Sequence, residues 1–179
     1  MRAFFGLPLP EAQRAALADF LARCADAAPG FRWTPSANLH LTIRFIGQAD
    51  LAVVEGIADR FSATSLQAFD VALGELGTFR RGRFVKVVWQ ALASGSKAVA
   101  ALARQVDEAC AAAGFPSEKR PFQAHLTLAR SRAREGAVLP ALPRPPRSDL
   151  WRADELVLYQ SRLGRTGAIY EPLRVLKLE

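Results

Sequence analysis

Two periods divide the apolar positions of this chain. Leu17, Phe20, Leu21 and Cys24 recur three and four apart, the spacing of one helix face, behind Pro10 and ahead of Pro29-Gly30. The same spacing predicts a helix over about 50–62, carrying Leu51, Val54, Ile57, Ala58 and Phe61, and a third from Lys97 to Ala113. On that third helix Val99, Leu102, Ala103, Val106 and Cys110 share a face, and Gly114 stands just past the end. Elsewhere the period shortens to two or the chain reads as extended. Strands are predicted at 2–7, within Phe31–Gly47 after a break at Pro35, at Ala68–Leu76, Phe84–Leu92 and Gln123–Leu128, and at Glu155–Ser161 and Pro172–Leu178.

Gly77 to Gly82 is predicted as the turn between two of these strands, and the Gly-rich segment from Leu163 to Gly167 as the turn between the last two. Ala137–Arg147 holds Pro140, Pro143, Pro145 and Pro146, too many for regular structure, and reads as a surface loop. Every strand connection is compatible with antiparallel pairing. The fold class is α+β.

Composition narrows the picture further. With 179 residues, half of them hydrophobic, the chain is long enough for a single domain with a substantial core, read as one two-lobed unit over residues 1–179. That balance excludes a disordered or collagenous chain. No apolar run reaches the roughly 18 residues of a membrane span, so the expectation is a soluble, cytoplasmic protein without membrane attachment. Cys24 and Cys110, the only cysteines, lie on helix stripes, which argues against a disulfide framework and excludes a Cys-rich zinc site. The net charge is +7, from 20 Arg and 4 Lys against 17 acidic residues. Arginine suits bidentate phosphate recognition, so the bias fits an anionic ligand such as RNA, and equally a base bias of the genome.

The chemistry sits in a repeat. The only two histidines occupy the same frame, His40-Leu41-Thr42-Ile43 and His125-Leu126-Thr127-Leu128, and 125 − 40 places them 85 residues apart, close to half the chain. Each follows an extended approach marked by proline, and a predicted helix lies upstream of each. In a strand, alternate side chains share a face, so each motif offers an imidazole beside a hydroxyl. Two halves packed about an approximate two-fold axis bring both pairs to one cleft.

Two imidazoles titrating near neutrality meet the needs of phosphodiester hydrolysis: one accepts a proton from water while the other protonates the leaving oxygen. Threonine hydroxyls donate hydrogen bonds to non-bridging phosphate oxygens and stabilise the charge that develops there. Two histidines without a matching carboxylate fall short of the three protein ligands usual for catalytic zinc. No G-x-S-x-G elbow is present to support a serine hydrolase.

The segments from Asn38 to Gly47 and from Arg120 to Arg130 closely resemble the paired His-x-Thr-x motifs of the two-histidine phosphoesterase superfamily. Within it they resemble the bacterial and archaeal RNA 2',3'-cyclic phosphodiesterases, also called 2'-5' RNA ligase-like proteins. The opening Arg2-Ala3-Phe4-Phe5 and the closing Leu156–Gly164 resemble that family too. The resemblance implies a bilobal fold of two antiparallel sheets related by a pseudo-two-fold axis, with helices outside, a central cleft, and neither metal nor cofactor. It implies hydrolysis of RNA 2',3'-cyclic phosphate ends to 2'-phosphates, with reversible 2'-5' ligation in some members. Carried over, His40 is the proton donor and His125 the acceptor, Thr42 and Thr127 bind the phosphate, and Arg130 occupies the place of a phosphate-contacting arginine. The expected partner is RNA with a cyclic phosphate end, and the expected state a monomer.

Strict alternation from His125 sends Arg130 to the wrong face, so a bulge or strand end must intervene. Arg44 is in phase with His40 and Thr42 and reads either as a cleft residue or as a solvated strand-end charge. Trp33, Phe122 and Tyr170 are candidates for core packing or for stacking on bases. The Arg80-Arg81-Gly82-Arg83 turn and the basic run from Arg130 to Arg134 read as solvated surface or as contacts for an RNA backbone. Phe84–Gln90 fits the family's central strand only loosely. Two rival functions remain open: a related phosphodiesterase acting on small cyclic nucleotides, ADP-ribose cyclic phosphate or 2'-5' oligonucleotides, and a non-catalytic RNA-end binder.

Overall fold

A computed structural model describes residues 1–179. Its elements run β1 (Arg2–Pro8), α1 (Glu11–Ala27), β2 (Phe31–Trp33), β3 (His40–Gln48), α2 (Leu51–Ser62), β4 (Phe69–Arg81), β5 (Phe84–Ser94), α3 (Ser96–Ala112), β6 (His125–Ser131), β7 (Trp151–Ala153), β8 (Glu155–Leu163) and β9 (Ala168–Lys177). All three helices form where the apolar stripes place them, and the stripe residues are buried except Leu51, which is exposed at the start of α2. None is long and apolar enough to cross a membrane.

Strands β3-β1-β8-β9 form one antiparallel half and β6-β5-β4-β7 the other. The halves meet along the two motif strands, where Leu41 pairs with Leu126, and β2 pairs with β6 beyond that point. The expected two sheets are therefore continuous through one bridge and make a single nine-stranded sheet, an eight-stranded path with β2 beside it on β6. The order is symmetric about the junction: β3 answers β6, β1 answers β5, β8 answers β4. In sequence, β1-α1-β3 corresponds to β5-α3-β6, and the proline-rich segment before β7 stands where the first unit has α2. Four prolines explain why no helix formed there.

Leu41, Ile43, Leu126 and Leu128 point to the face covered by the helices, inside a cluster of 31 buried residues that draws on α1, α2 and α3. The imidazoles and hydroxyls lie on the opposite face. Cys24 and Cys110 lie in this core as free thiols, and burial pushes both up to about 11, so they act as packing residues.

Three boundaries differ from expectation. The segment from Gly77 to Arg81 is strand, not turn, and the chain reverses at Gly82-Arg83, where Gly82 takes φ +59°. Gly77 is a packing glycine: it pairs with Trp89, and a Cβ there would lie 2.4 Å from the indole ring. The strand β7 is three residues long, too short to show a period. The last strand starts at Ala168 and tolerates Pro172 because β9 is a sheet edge and an irregularity in pairing falls beside it, between Leu158 and Tyr159.

Candidate active site

Each motif strand carries the same irregularity. In β3 the pairing with β1 slips between Phe5 and Gly6, so that Gly6 faces Thr42 while Phe5 faces Arg44. In β6 the pairing with β5 slips between Val88 and Trp89, so that Trp89 faces Thr127 while Val88 faces Ala129. One extra residue in each strand reverses the alternation beyond it. Ile43 and Arg44 are consequently both buried, as are Leu128 and Ala129, while Phe45 and Arg130 return to the face of the histidines. The bulge required to bring Arg130 to the cleft is present.

The same bulge corrects the reading of Arg44. Its side chain is only 7% exposed and points away from the cleft, neither lining it nor standing in solvent. It forms an ion pair with Asp107 on α3 at 2.7 Å, another with Glu118 at 2.6 Å, and donates to the Pro116 carbonyl. Glu118 in turn donates its backbone N–H to Asp107 at 3.2 Å. Arg44 thus ties the first motif strand to the segment that leads into the second.

The two imidazoles are held alike. His40 Nδ1 lies 2.8 Å from the Asn38 carbonyl, and His125 Nδ1 lies 2.7 Å from the Gln123 carbonyl, each two residues upstream. A carbonyl only accepts, so Nδ1 carries the proton in both rings and Nε2 is left for chemistry. His40 Nε2 then accepts the hydroxyl proton of Thr42 at 3.0 Å. The Asn38 side chain donates to the Ala168 carbonyl at 2.8 Å, fixing the segment that carries the first of these carbonyls against β9.

Their surroundings differ. His40 packs against Phe4 at 4.8 Å and edge-on to Tyr170 at 5.1 Å, over Gly6, where a Cβ would come within 3.3 Å of the ring. Burial pushes the His40 pKa below 6.5, against the opposing pull of its bond to the Asn38 carbonyl. His125 meets Phe79 edge-on at 5.3 Å and Trp89 at 6.0 Å.

A cleft of about 890 Å³ opens over the junction. His40, Thr42, Thr127 and Arg130 line it, as do Trp33 and Tyr170. His125 lies off its wall, on the side of Phe79 and Trp89, while Phe122 lines a separate cavity of about 410 Å³ with Trp89 and Gln123. Of the basic run after Thr127, Arg130 and Arg132 face the cleft; Arg80, Arg81 and Arg83 form an exposed hairpin. Arg2, Arg32 and Phe45 also line the cleft and were missed by sequence reasoning. For Phe45 the missing signal was the bulge; for Arg32 it was the pairing of β2 with β6, which three residues of sequence do not announce.

The model of the 2'-5' RNA ligase superfamily matches residues 9–165. The chain belongs to that superfamily. Among curated relatives, the RNA 2',3'-cyclic phosphodiesterase of Aeropyrum pernix is 32% identical over 78% of this chain and 82% of its own length. The protein of the same name from Escherichia coli strain K12 is 28% identical over 97% and 94%. A third, from Geobacillus stearothermophilus, is 28% identical over 91% of this chain, which spans about half (53%) of that relative. Among solved structures, E. coli LigT complexed with 3'-AMP superposes with a TM-score of 0.84 at 25% identity, covering 99% of this chain and 97% of the other. The superfamily's mixed α and β fold with a large antiparallel sheet is the fold found here.

Proposed function

We propose that this member of the superfamily hydrolyses RNA 2',3'-cyclic phosphate ends to 2'-phosphates by two-histidine acid–base catalysis without a metal. The observation that carries the reading is the duplicated bond from Nδ1 to a carbonyl two residues upstream, which leaves the Nε2 of both rings available, that of His40 already hydrogen-bonded to Thr42. His125 accepts a proton from water, whose oxygen forms the new bond to phosphorus. His40 delivers its Nε2 proton to the 3'-oxygen as the bond between that oxygen and phosphorus breaks. Thr42, Thr127 and Arg130 bind the non-bridging oxygens, where charge accumulates in the transition state.

The low pKa of His40 suits a donor. Burial makes its imidazolium a stronger acid than a free one, and an anionic phosphate seated beside it favours the protonated form when substrate is bound. The names of the curated relatives and the nucleotide held by E. coli LigT support the substrate class. With a ribose 5'-hydroxyl in place of water, the same proton transfers join RNA ends through a 2'-5' linkage, and in reverse His40 acts as base on the 3'-hydroxyl while the 5'-oxygen leaves, which breaks that linkage.

The deciding experiment treats a short RNA ending in a 2',3'-cyclic phosphate with the protein and excess chelator and follows phosphorus by NMR. A 2'-phosphomonoester is the expected product. An unchanged cyclic phosphate would overturn the reading, and activity that chelator abolishes would overturn its metal independence.

A further inference from the structure

Arg32 on β2 and Arg130 on β6 are directly cross-strand partners. Both are exposed, both line the cleft, and neither takes part in any of the eight ion pairs of the structure. Like charges directly opposite one another on neighbouring strands are destabilising. Two other strand arginines do find carboxylates: Arg152 on β7 meets Asp70, and Arg162 on β8 meets Glu171. At Arg32 and Arg130 no carboxylate answers, which leaves two neighbouring guanidinium groups on the cleft wall open to an anion from outside the chain.

We infer that Arg32, opposite Arg130, binds a second phosphate of the substrate, the one esterified to the 5'-oxygen of the terminal nucleotide. The inference rests on the reaction proposed above and specifies which substrate it prefers. Position separates this phosphate from the reacting one. The motifs meet at Leu126, whereas Arg32 pairs four residues further along β6, a span of roughly 13 Å at about 3.3 Å per residue. A phosphate held between Thr42 and Thr127 leaves Arg32 to its neighbour in the nucleotide chain, with Arg130 level with Arg32 on the adjoining strand. Arg132, whose Nε is tied to the Pro29 carbonyl at 3.0 Å, closes that end of the cleft. Cleavage of a bare nucleoside cyclic phosphate uses Arg130 but not Arg32.

The test separates the inference from the reaction by measuring binding rather than turnover. Adenosine 2'-monophosphate and adenosine 2',5'-bisphosphate are titrated calorimetrically into the parent protein, Arg32→Gln and Arg32→Lys. The parent is expected to favour the bisphosphate by about ten- to a hundredfold, the worth of a charge-assisted contact. Arg32→Gln closes that gap while leaving the monophosphate unchanged, and Arg32→Lys keeps part of it. In the absence of ligand, Arg32→Gln unfolds at the parental temperature or above, since a repulsion has been removed. An equal affinity of the parent for both nucleotides, a gap that survives in Arg32→Gln, or an equal loss for both ligands would overturn the inference. Turnover of RNA ending in a cyclic phosphate, measured on the same parent, decides the reaction independently.

Discussion

Leu41 pairs with Leu126 at the junction of the two halves, and the antiparallel register of that pair sets His40 across from Thr127 and Thr42 across from His125. Each histidine therefore neighbours one threonine along its own strand and the other across the junction. Both hydroxyls and His40 line the cleft over this junction, and His125 stands just off its wall, on the side of Phe79 and Trp89. His40→Ala and His125→Ala are each expected to lower turnover of a cyclic phosphate end by roughly 10²–10⁴-fold, the range for loss of a general acid or base. RNA binding, measured by fluorescence anisotropy, falls only modestly. Parental rates in either variant would remove that histidine from the reaction.

The environment of His40 sets the pH dependence. In the proposed role of donor it must be protonated, and burial places its pKa in the free protein below 6.5. The value of kcat/KM is expected to fall as pH rises through that lowered pKa, and the corresponding limb of kcat, read on the complex with phosphate, lies at higher pH. His40→Ala removes the alkaline limb. If kcat/KM instead rises through a pKa below 6.5 and that rise disappears in His40→Ala, His40 is the base and the two roles exchange.

The same depression has a consequence for stability. An unfolded chain binds a proton at His40 near pH 6.5, while the folded chain binds it only at lower pH, so the unfolded state takes up more protons between the two values. Stability from this group is complete above about pH 6.5 and is lost as pH falls through the folded pKa. Urea denaturation across pH 7 to 5 is expected to show a decline that is shallower in His40→Gln. An identical decline would mean that the imidazole is not desolvated.

Much of this architecture is legible in the sequence because one physical signal dominates it. The stripes of α1, α2 and α3 and the duplicated His-x-Thr frame are periodic, and a period survives any later folding. What escaped was decided by pairing between distant strands. The reversal of Arg44 and the recovery of Arg130 both follow from single extra residues in β3 and β6, invisible until β1 and β5 lie alongside. Arg32 gains its meaning only from the residue opposite it, 98 positions away (130 − 32). Gly77 reads as a turn in the sequence because glycine marks both tight reversals and close contacts, and only the indole of Trp89 distinguishes them.

Arg44 carries a test of how the two motifs are joined. Its guanidinium is buried, while Asp107 and Glu118 keep access to water with side chains 22% and 57% exposed. Arg44→Met keeps the apolar stem and removes the charge, leaving Asp107 without its cation. A loss of about 3 kcal/mol in urea denaturation is expected, the lower end for breaking a buried pair. Because the lost bonds anchor Pro116 and Glu118, upstream of Gln123 and His125, kcat falls more than KM rises. A stable variant with parental kcat would show that the approach to His125 is held by other contacts.

Gly77 gives the last test, since it touches the surroundings of His125 without touching the imidazole. A methyl group at this position collides with Trp89, whose ring stands between β4 and His125, so either the strand or the indole must move. Gly77→Ala is expected to cost about 1–3 kcal/mol, as overpacking of a well-filled site does. If the indole is what moves, turnover falls as well, because Trp89 is one of the two aromatic rings that border His125. Adding Trp89→Leu removes the collision and recovers stability, yet leaves one side of His125 open. A double variant with parental stability and reduced kcat separates the two roles of the indole; recovery of both together would mean that Trp89 only fills space.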